Sequence, residues 1–277
     1  MHLLSVLFII IVNYNVENLF HPAHDSLKED IEWTPEGERH WSYTRYYRKE
    51  ENIARVLTTI GEWDGVDIVG LQEVENALCV KRLCYTLRRN EYDFVHYESP
   101  DRRGIDVALI YKKSRVDTLR TRAIRVDLGE QTTRDILYVS ALIDKRDSLH
   151  LFVCHLPSQR GGKAESEWKR QRAKQVLQTA VDSVLALSPN ARIVVMGLFP
   201  RGLLSAGRLE KNRQVNEILH KTIPALPYAE LRDIFPQFLD KEGNADAQFF
   251  KKDLCHLCRK GYFVWYNAIA DLVKKYL

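Results

Sequence analysis

The sequence predicts a mixed α/β fold with at least one antiparallel portion. Three observations carry that prediction: strand-length runs that alternate or stay apolar recur up to residue 196, amphipathic segments of helical period separate the early ones, and the middle ones follow one another with no helix between them. Residues 3–12 open the chain with a β-branched apolar run that suits a buried strand. Residues 17–40 follow as a long polar loop containing Pro22, Pro35 and Gly37. From 43 to 60, Tyr46, Tyr47, Ile53, Ala54, Val56, Leu57 and Ile60 recur at helical spacing, and Gly61 supplies a stop. Residues 67–71 form a short buried strand leading into Gln72-Glu73-Val74, and 76–89 make a helix with Ala77, Val80, Leu83, Cys84 and Leu87 on one face. Residues 93–97, 106–111, 134–143 and 150–153 read as strands. A long charged helix at 163–187 precedes a last clear strand at 192–196. Beyond Gly197 the signals blur: 203–219 and 262–276 have helical character, and Pro224, Pro227 and Pro236 break the stretch between them.

Composition bounds the function. With 277 residues, 45% of them hydrophobic and 28% charged, and only 13 Gly and 9 Pro, the chain is globular and neither disordered nor fibrous. A net charge of +4 excludes a polycation and an acidic solvating chain. Residues 1–197 carry 28 basic and 28 acidic side chains, whereas 198–277 carry 13 and 9, so the whole excess lies in the last 80 residues. Such a surplus reads first as a solvated face and second as nucleic-acid affinity. The apolar start lacks a preceding Lys or Arg and a small-residue cleavage site, so it is read as a strand and not as a leader. No stretch approaches the ~20 apolar residues of a membrane helix, and a soluble, cytoplasmic monomer is expected. Five cysteines, at 79, 84, 154, 255 and 258, are expected as thiols, since an odd, scattered set makes no disulfide framework. Cys255 and Cys258 have one half of a zinc-ribbon spacing without a second half.

Three ordered motifs carry the chemistry. Tyr14-Asn15-Val16-Glu17-Asn18-Leu19-Phe20 closes the first strand, Gly70-Leu71-Gln72-Glu73-Val74-Glu75-Asn76 the second, and Cys154-His155-Leu156-Pro157-Ser158 follows a later one. Together they resemble the endonuclease/exonuclease/phosphatase superfamily, the deoxyribonuclease-I-like phosphoesterases. Residues 33–35, 45–46, 52–54, 99–111 and 133–137 resemble its bacterial branch. The resemblance spans about residues 6–197 and divides the chain into a 1–197 domain and an unassigned 198–277 segment. It implies a four-layer α/β sandwich of two mixed sheets flanked by helices, incomplete at the C-terminal end, with the site in a cleft at one edge.

The resemblance also implies a Mg²⁺ or Mn²⁺ cofactor and a phosphate-ester substrate, nucleic acid among the candidates, with no membrane partner. Glu73 resembles the metal-binding glutamate, a role suited to Mg²⁺, which takes one or two carboxylates and keeps several waters. Asn15 would orient the metal shell or the phosphate. His155 resembles the cleft histidine, which as imidazolium donates to a phosphoryl oxygen. Arg103, Asp106 and Arg134 lie in matching stretches and serve either as phosphate-binding residues or as an internal salt-bridge network. Glu75 and Asn76 read as a surface residue and a helix cap.

The resemblance breaks after residues 193–197. There the family continues Asp-Phe-Asn, but this chain has Leu198-Phe199-Pro200, which can neither accept a proton nor donate to an oxygen. A missing general base costs about 10²–10⁴ in rate. The late Asp-His pair has no clear counterpart; Asp253 and His256 sit in a polar segment with no strand before it. Two readings follow: a weakened metal-dependent phosphoesterase, and a catalytically inactive member that binds phosphate or nucleic acid. A third places a nucleic-acid-binding module in the basic tail, with zinc at Cys255 and Cys258. The abrupt break predicts a replaced or frame-disrupted end.

Overall fold

The structure is a computed structural model that describes residues 9–61, 63–88, 90–158, 162–203, 207–254 and 257–276. The chain divides into two compact units, Met1–Val184 and Leu185–Leu277.

In the first unit, β1 (Ile11–Leu19), β2 (Ile68–Val74), β4 (Asp106–Lys112) and β3 (Tyr92–His96) form one sheet in the order β1-β2-β4-β3. β1 and β2 run parallel, joined by the crossover helix α1 (Tyr43–Gly61), and the other pairs are antiparallel. β2 leads through the Asn76 cap into α2 (Ala77–Leu87); Asn76 Oδ1 accepts from Cys79 N at 3.0 Å, as its sequence position predicts. A second sheet, β5 (Val116–Ile124), β6 (Ile136–Ile143) and β7 (Asp147–Val153), is antiparallel throughout. Short connections join β5 to β6 and β6 to β7, and parallel neighbours would need a crossover too long for them.

The two-residue period of the strands sorts side chains into layers. Val69 and Leu71 of β2 and Ala108 and Ile110 of β4 face Tyr46, Ile53 and Leu57 of α1 and Val80 and Leu83 of α2. On the opposite face, Ile68, Val107 and Leu109 meet Val139, Ala141 and Ile143 of β6 and Val153 of β7. The far side of the second sheet, through Ile136 and Phe152, packs on Ala173, Val176 and Leu177 of α3 (Lys163–Leu187). Helices, sheet, sheet and helix make four layers.

β5 has no clear sequence signal. It is an edge strand whose Asp117, Arg120 and Arg122 blunt an exposed row of backbone donors, and these charges hide the apolar alternation. β1 continues to Leu19, where an earlier loop was expected. Glu17 and Asn18 adopt positive φ of 56° and 68°, and pairing resumes at Leu19 opposite Val74 after the irregularity.

In the second unit, β8 (Ile193–Met196) and β9 (Ala229–Arg232) pair in parallel across the crossover helix α4 (Arg208–Thr222). Buried Ile234, Phe238, Ala245, Phe250 and Leu257 form its core, with Val264, Trp265 and Ala268 of α5 (Arg259–Tyr276) against them. β9, with two charges in four half-buried residues, carried no recognisable pattern. Among the described residues Cys79, Cys84, Cys154 and Cys258 are free thiols, and no helix is long and apolar enough to cross a membrane.

Candidate active site

Glu73 owes its position to a backbone irregularity. β2 is an apolar strand buried on both faces, and its register with β4 shifts between Gln72 and Val74. At that point Glu73 takes φ +64°, a left-handed value uncommon outside glycine. The bulge turns a carboxylate out of an otherwise closed strand, to 19% side-chain exposure. Asn15, on β1 opposite Gln72, donates from Nδ2 to Glu73 Oε1 at 3.2 Å, while its Oδ1 accepts from Glu17 N at 2.8 Å. The amide thereby holds one carboxylate oxygen, and Oε2 is engaged by no described residue.

The second sheet contributes from the other side. His155, just beyond β7, sets Nε2 at 3.5 Å from Glu73 Oε1. Burial, aided by the Arg134 charge, pushes its pKa below the ordinary value, against the pull of Glu73. The site thus disfavours the imidazolium that the resemblance implies, because it removes more hydration than one carboxylate replaces. Arg134 donates from Nη1 to Asp101 Oδ2 at 3.1 Å, from Nε and Nη2 to His155 O at 3.2 and 2.9 Å, and from Nη2 to Leu156 O at 3.1 Å. Arg103 adds donors to both Asp101 oxygens, at 3.2 and 3.3 Å. Burial alone would raise Asp101, but the hydrogen bonds and charges of Arg103 and Arg134 outweigh it and hold the carboxyl below its usual range.

Asn15, Glu73 and His155 are therefore brought together, and Arg134 supports them from beneath. For Arg134 the structure takes the salt-bridge alternative over phosphate contact: its side chain is 7% exposed and its donors go to Asp101 and two carbonyls. Asp106 is not in this group. Its Oδ1 accepts from Ser99 N at 3.1 Å and from Ser99 Oγ, and its Oδ2 faces His96. Arg103 remains 45% exposed. Glu75, expected on the surface, is buried at 3% exposure and accepts from His21 N at 2.6 Å.

Two residues went unrecognised in the sequence. Asp101 links both arginines, and Lys49 of α1 donates to Glu17 O at 2.5 Å; burial lowers its pKa while Glu17 and Glu73 pull it up. Spacing gave no sign of Lys49, whose neighbour across the fold lies on another element. Leu198 donates its amide to Asn216 Oδ1 at 2.7 Å within the second unit, and its side chain brings no acid. Cys255 and His256 lie outside the described residues; Cys258 Sγ donates to Gln248 O at 3.2 Å.

Comparison with known proteins gives two kinds of likeness. The alpha1 subunit of platelet-activating factor acetylhydrolase IB from Rattus norvegicus is 36% identical over 101 residues, 36% of this chain and 43% of that protein. The Homo sapiens subunit is 35% identical over the same lengths. The chain spans less than half the length of these curated relatives. Among solved structures, D. rerio TDP2 complexed with single-strand DNA product has 20% identity and a TM-score of 0.43, over 63% of this chain and 54% of that one. A mannosyl-6-phosphatase of Bacteroides thetaiotaomicron has 14% identity and a TM-score of 0.44, over 64% and 60%. A family model matches residues 10–202, more than half of the chain and the whole stretch that contains Asn15, Glu73, Arg134 and His155. On that match the chain belongs to the Endonuclease/Exonuclease/phosphatase family.

Proposed function

We propose that the chain is a divalent-metal-dependent phosphoesterase with Glu73 as the protein ligand of the cation. The observation that carries this reading is the meeting of Glu73 with Asn15 and His155, delivered by two different sheets at 3.2 and 3.5 Å. A part-exposed carboxylate with one oxygen held by an amide and the other unengaged suits Mg²⁺ or Mn²⁺, which keep most of their waters. Bound there, the cation would neutralise the oxygens of a phosphate ester.

The chain's own side chains do the rest. Asn15 fixes the carboxylate rotamer. His155, as the neutral ring, donates from Nε2–H to a phosphoryl oxygen once a substrate displaces its contact with Glu73, and an incoming phosphate raises its pKa toward the charged, stronger donor. Arg103, still half exposed, closes on the anion, while Arg134 and Asp101 hold the His155 backbone in place. Leu198 supplies no proton acceptor, so turnover is slowed by about 10²–10⁴ relative to a site with a general base. The substrate class is a phosphodiester, with nucleic acid the first candidate, acted on by a cytoplasmic monomer of the family's bacterial branch.

The test is hydrolysis of bis(p-nitrophenyl) phosphate and of an oligonucleotide with Mg²⁺ or Mn²⁺, comparing the native chain with Glu73→Gln. Slow, chelator-sensitive hydrolysis that the substitution abolishes is expected. Hydrolysis that survives it overturns the assignment of Glu73. Absence of turnover with metal-dependent oligonucleotide binding, itself lost in Glu73→Gln, makes this a binding member of the family.

A second reading concerns the end of the chain. The family match stops at residue 202, and the acetylhydrolase likeness is to a hydrolase of a different ester class. We infer that this likeness, which at 101 residues is longer than the second unit, covers the end of the chain from within α3 onward, a piece of another hydrolase joined to a shortened phosphoesterase. With 43% of the acetylhydrolase subunit covered, no acetyl-ester turnover is expected from p-nitrophenyl acetate. Turnover that persists in Glu73→Gln makes the esterase the working half.

A further inference from the structure

Around the turn from β3 to β4, on the strand beside the bulge that presents Glu73, three potential ligands come together. His96 ends β3, Asp106 begins β4, and Glu98 lies between them. His96 pairs with Ala108, so the two-residue period of the antiparallel pair places His96 and Asp106 on one face, and Glu98 comes to them from the loop. One ligand atom of each lies within 4.8 Å of the other two.

Among the described residues, two of these atoms make no hydrogen bond and face only each other. His96 Nε2 and Asp106 Oδ2 stand 3.4 Å apart, on side chains 2% and 1% exposed. Neither makes a hydrogen bond among the described residues, a state that buried polar atoms avoid and that calls for a reason. Ser99 supplies part of it. By donating to Asp106 Oδ1 from its amide at 3.1 Å and from its hydroxyl, it orients the carboxylate so that Oδ2 is turned to His96, as an outer hydrogen bond does for a metal ligand.

The spacing points to a cation. Tetrahedral zinc, with bonds of about 2.0–2.1 Å to imidazole nitrogen and carboxylate oxygen, sets neighbouring ligand atoms roughly 3.3–3.4 Å apart. Glu98 provides the third ligand from the rim, where Lys28 Nζ stands 3.4 Å from its Oε2.

We propose that His96, Glu98 and Asp106 bind a divalent cation of the zinc class, with water completing a four-coordinate shell. An imidazole with two carboxylates selects such a borderline ion over Mg²⁺, so this centre differs in chemistry from the one at Glu73, although Asp106 pairs with Val74 on the neighbouring strand. Its part is to tie the end of β3 to the start of β4 and so brace the loop that carries Asp101 and Arg103.

The experiment uses the full-length Glu73→Gln protein, which removes the other carboxylate centre, stripped with chelator and titrated with Co²⁺. Expected is one equivalent bound with the intense visible bands of tetrahedral Co²⁺, without thiolate charge-transfer absorption, displaced by Zn²⁺ and absent from the further variants His96→Gln and Asp106→Asn. Glu98→Gln, at the exposed rim, leaves the buried pair intact and should weaken Co²⁺ at least about tenfold. It decides the matter if the buried variants fail to fold. No tetrahedral cobalt in Glu73→Gln, a thiolate band, or an unchanged affinity in Glu98→Gln overturns the proposal.

Discussion

Arg134→Met removes a cation that joins the segment after β7 to the loop before β4. The native guanidinium satisfies Asp101 and the carbonyls of His155 and Leu156. With both Arg134 and Asp101 at 7% side-chain exposure, Asp101 would be left with the half-exposed Arg103, and two carbonyls would lose their donors. Breaking a buried pair by removing one partner costs about 3–5 kcal/mol. The two orphaned carbonyls, on half-buried His155 and exposed Leu156, add less than the ~1–3 kcal/mol of a fully buried acceptor, and the remaining Arg103 pair offsets it, so the expected loss stays at about 3–5 kcal/mol. That is a large fraction of the ~5–15 kcal/mol of a typical domain. Urea unfolding at neutral pH, followed by tryptophan fluorescence, measures it. In the double variant with Asp101→Asn, the losses should fall short of additivity by about 1–3 kcal/mol. A single-variant loss below about 1 kcal/mol, or additivity within ~0.5 kcal/mol, refutes the buried network.

Other expectations follow from buried titrating groups. Burial raises the Glu75 pKa to about 8, offset in part by the His21 amide and reinforced by Asp30. Because the folded state favours the neutral acid, its contribution is complete below about pH 4.5 and is lost as pH rises through about 8. Glu75→Gln should therefore unfold at a nearly constant temperature between about pH 5 and 9 where the native chain declines; a parallel decline in both refutes it. His155 has the opposite sign. With its folded pKa depressed by burial and Arg134, the neutral ring's contribution is full above its ordinary value and is lost as pH falls. His155→Gln should lose less stability than the native chain between about pH 7 and 5, as measured by thermal unfolding; equal losses argue that the ring is not buried as described.

How far the sequence could be read depends on what each residue advertises. Glu73 was legible because an apolar strand ends on it, and α1, α2 and α3 because their periods are long and bounded. The end of β1 was misplaced because a bulge at Glu17 and Asn18 lets pairing resume where polarity suggested a loop. β5 and β9 carry charges at the positions that would have shown alternation. The roles of Arg134, Asp106 and Lys49 depend on where a side chain turns after the chain has folded, and spacing along the sequence holds no record of that. The four layers came from resemblance and were then seen in the way Ile68, Val107 and Leu109 face the second sheet while Val69 and Leu71 face the helices.

The left-handed backbone of Glu73 sets the needs of the site against those of the fold. A non-glycine residue held at such a φ costs on the order of 1–3 kcal/mol, and the bulge flanked by two closed strands enforces it. Glutamate at 73 thus holds its carboxylate in place at a backbone cost that glycine or asparagine there would largely avoid.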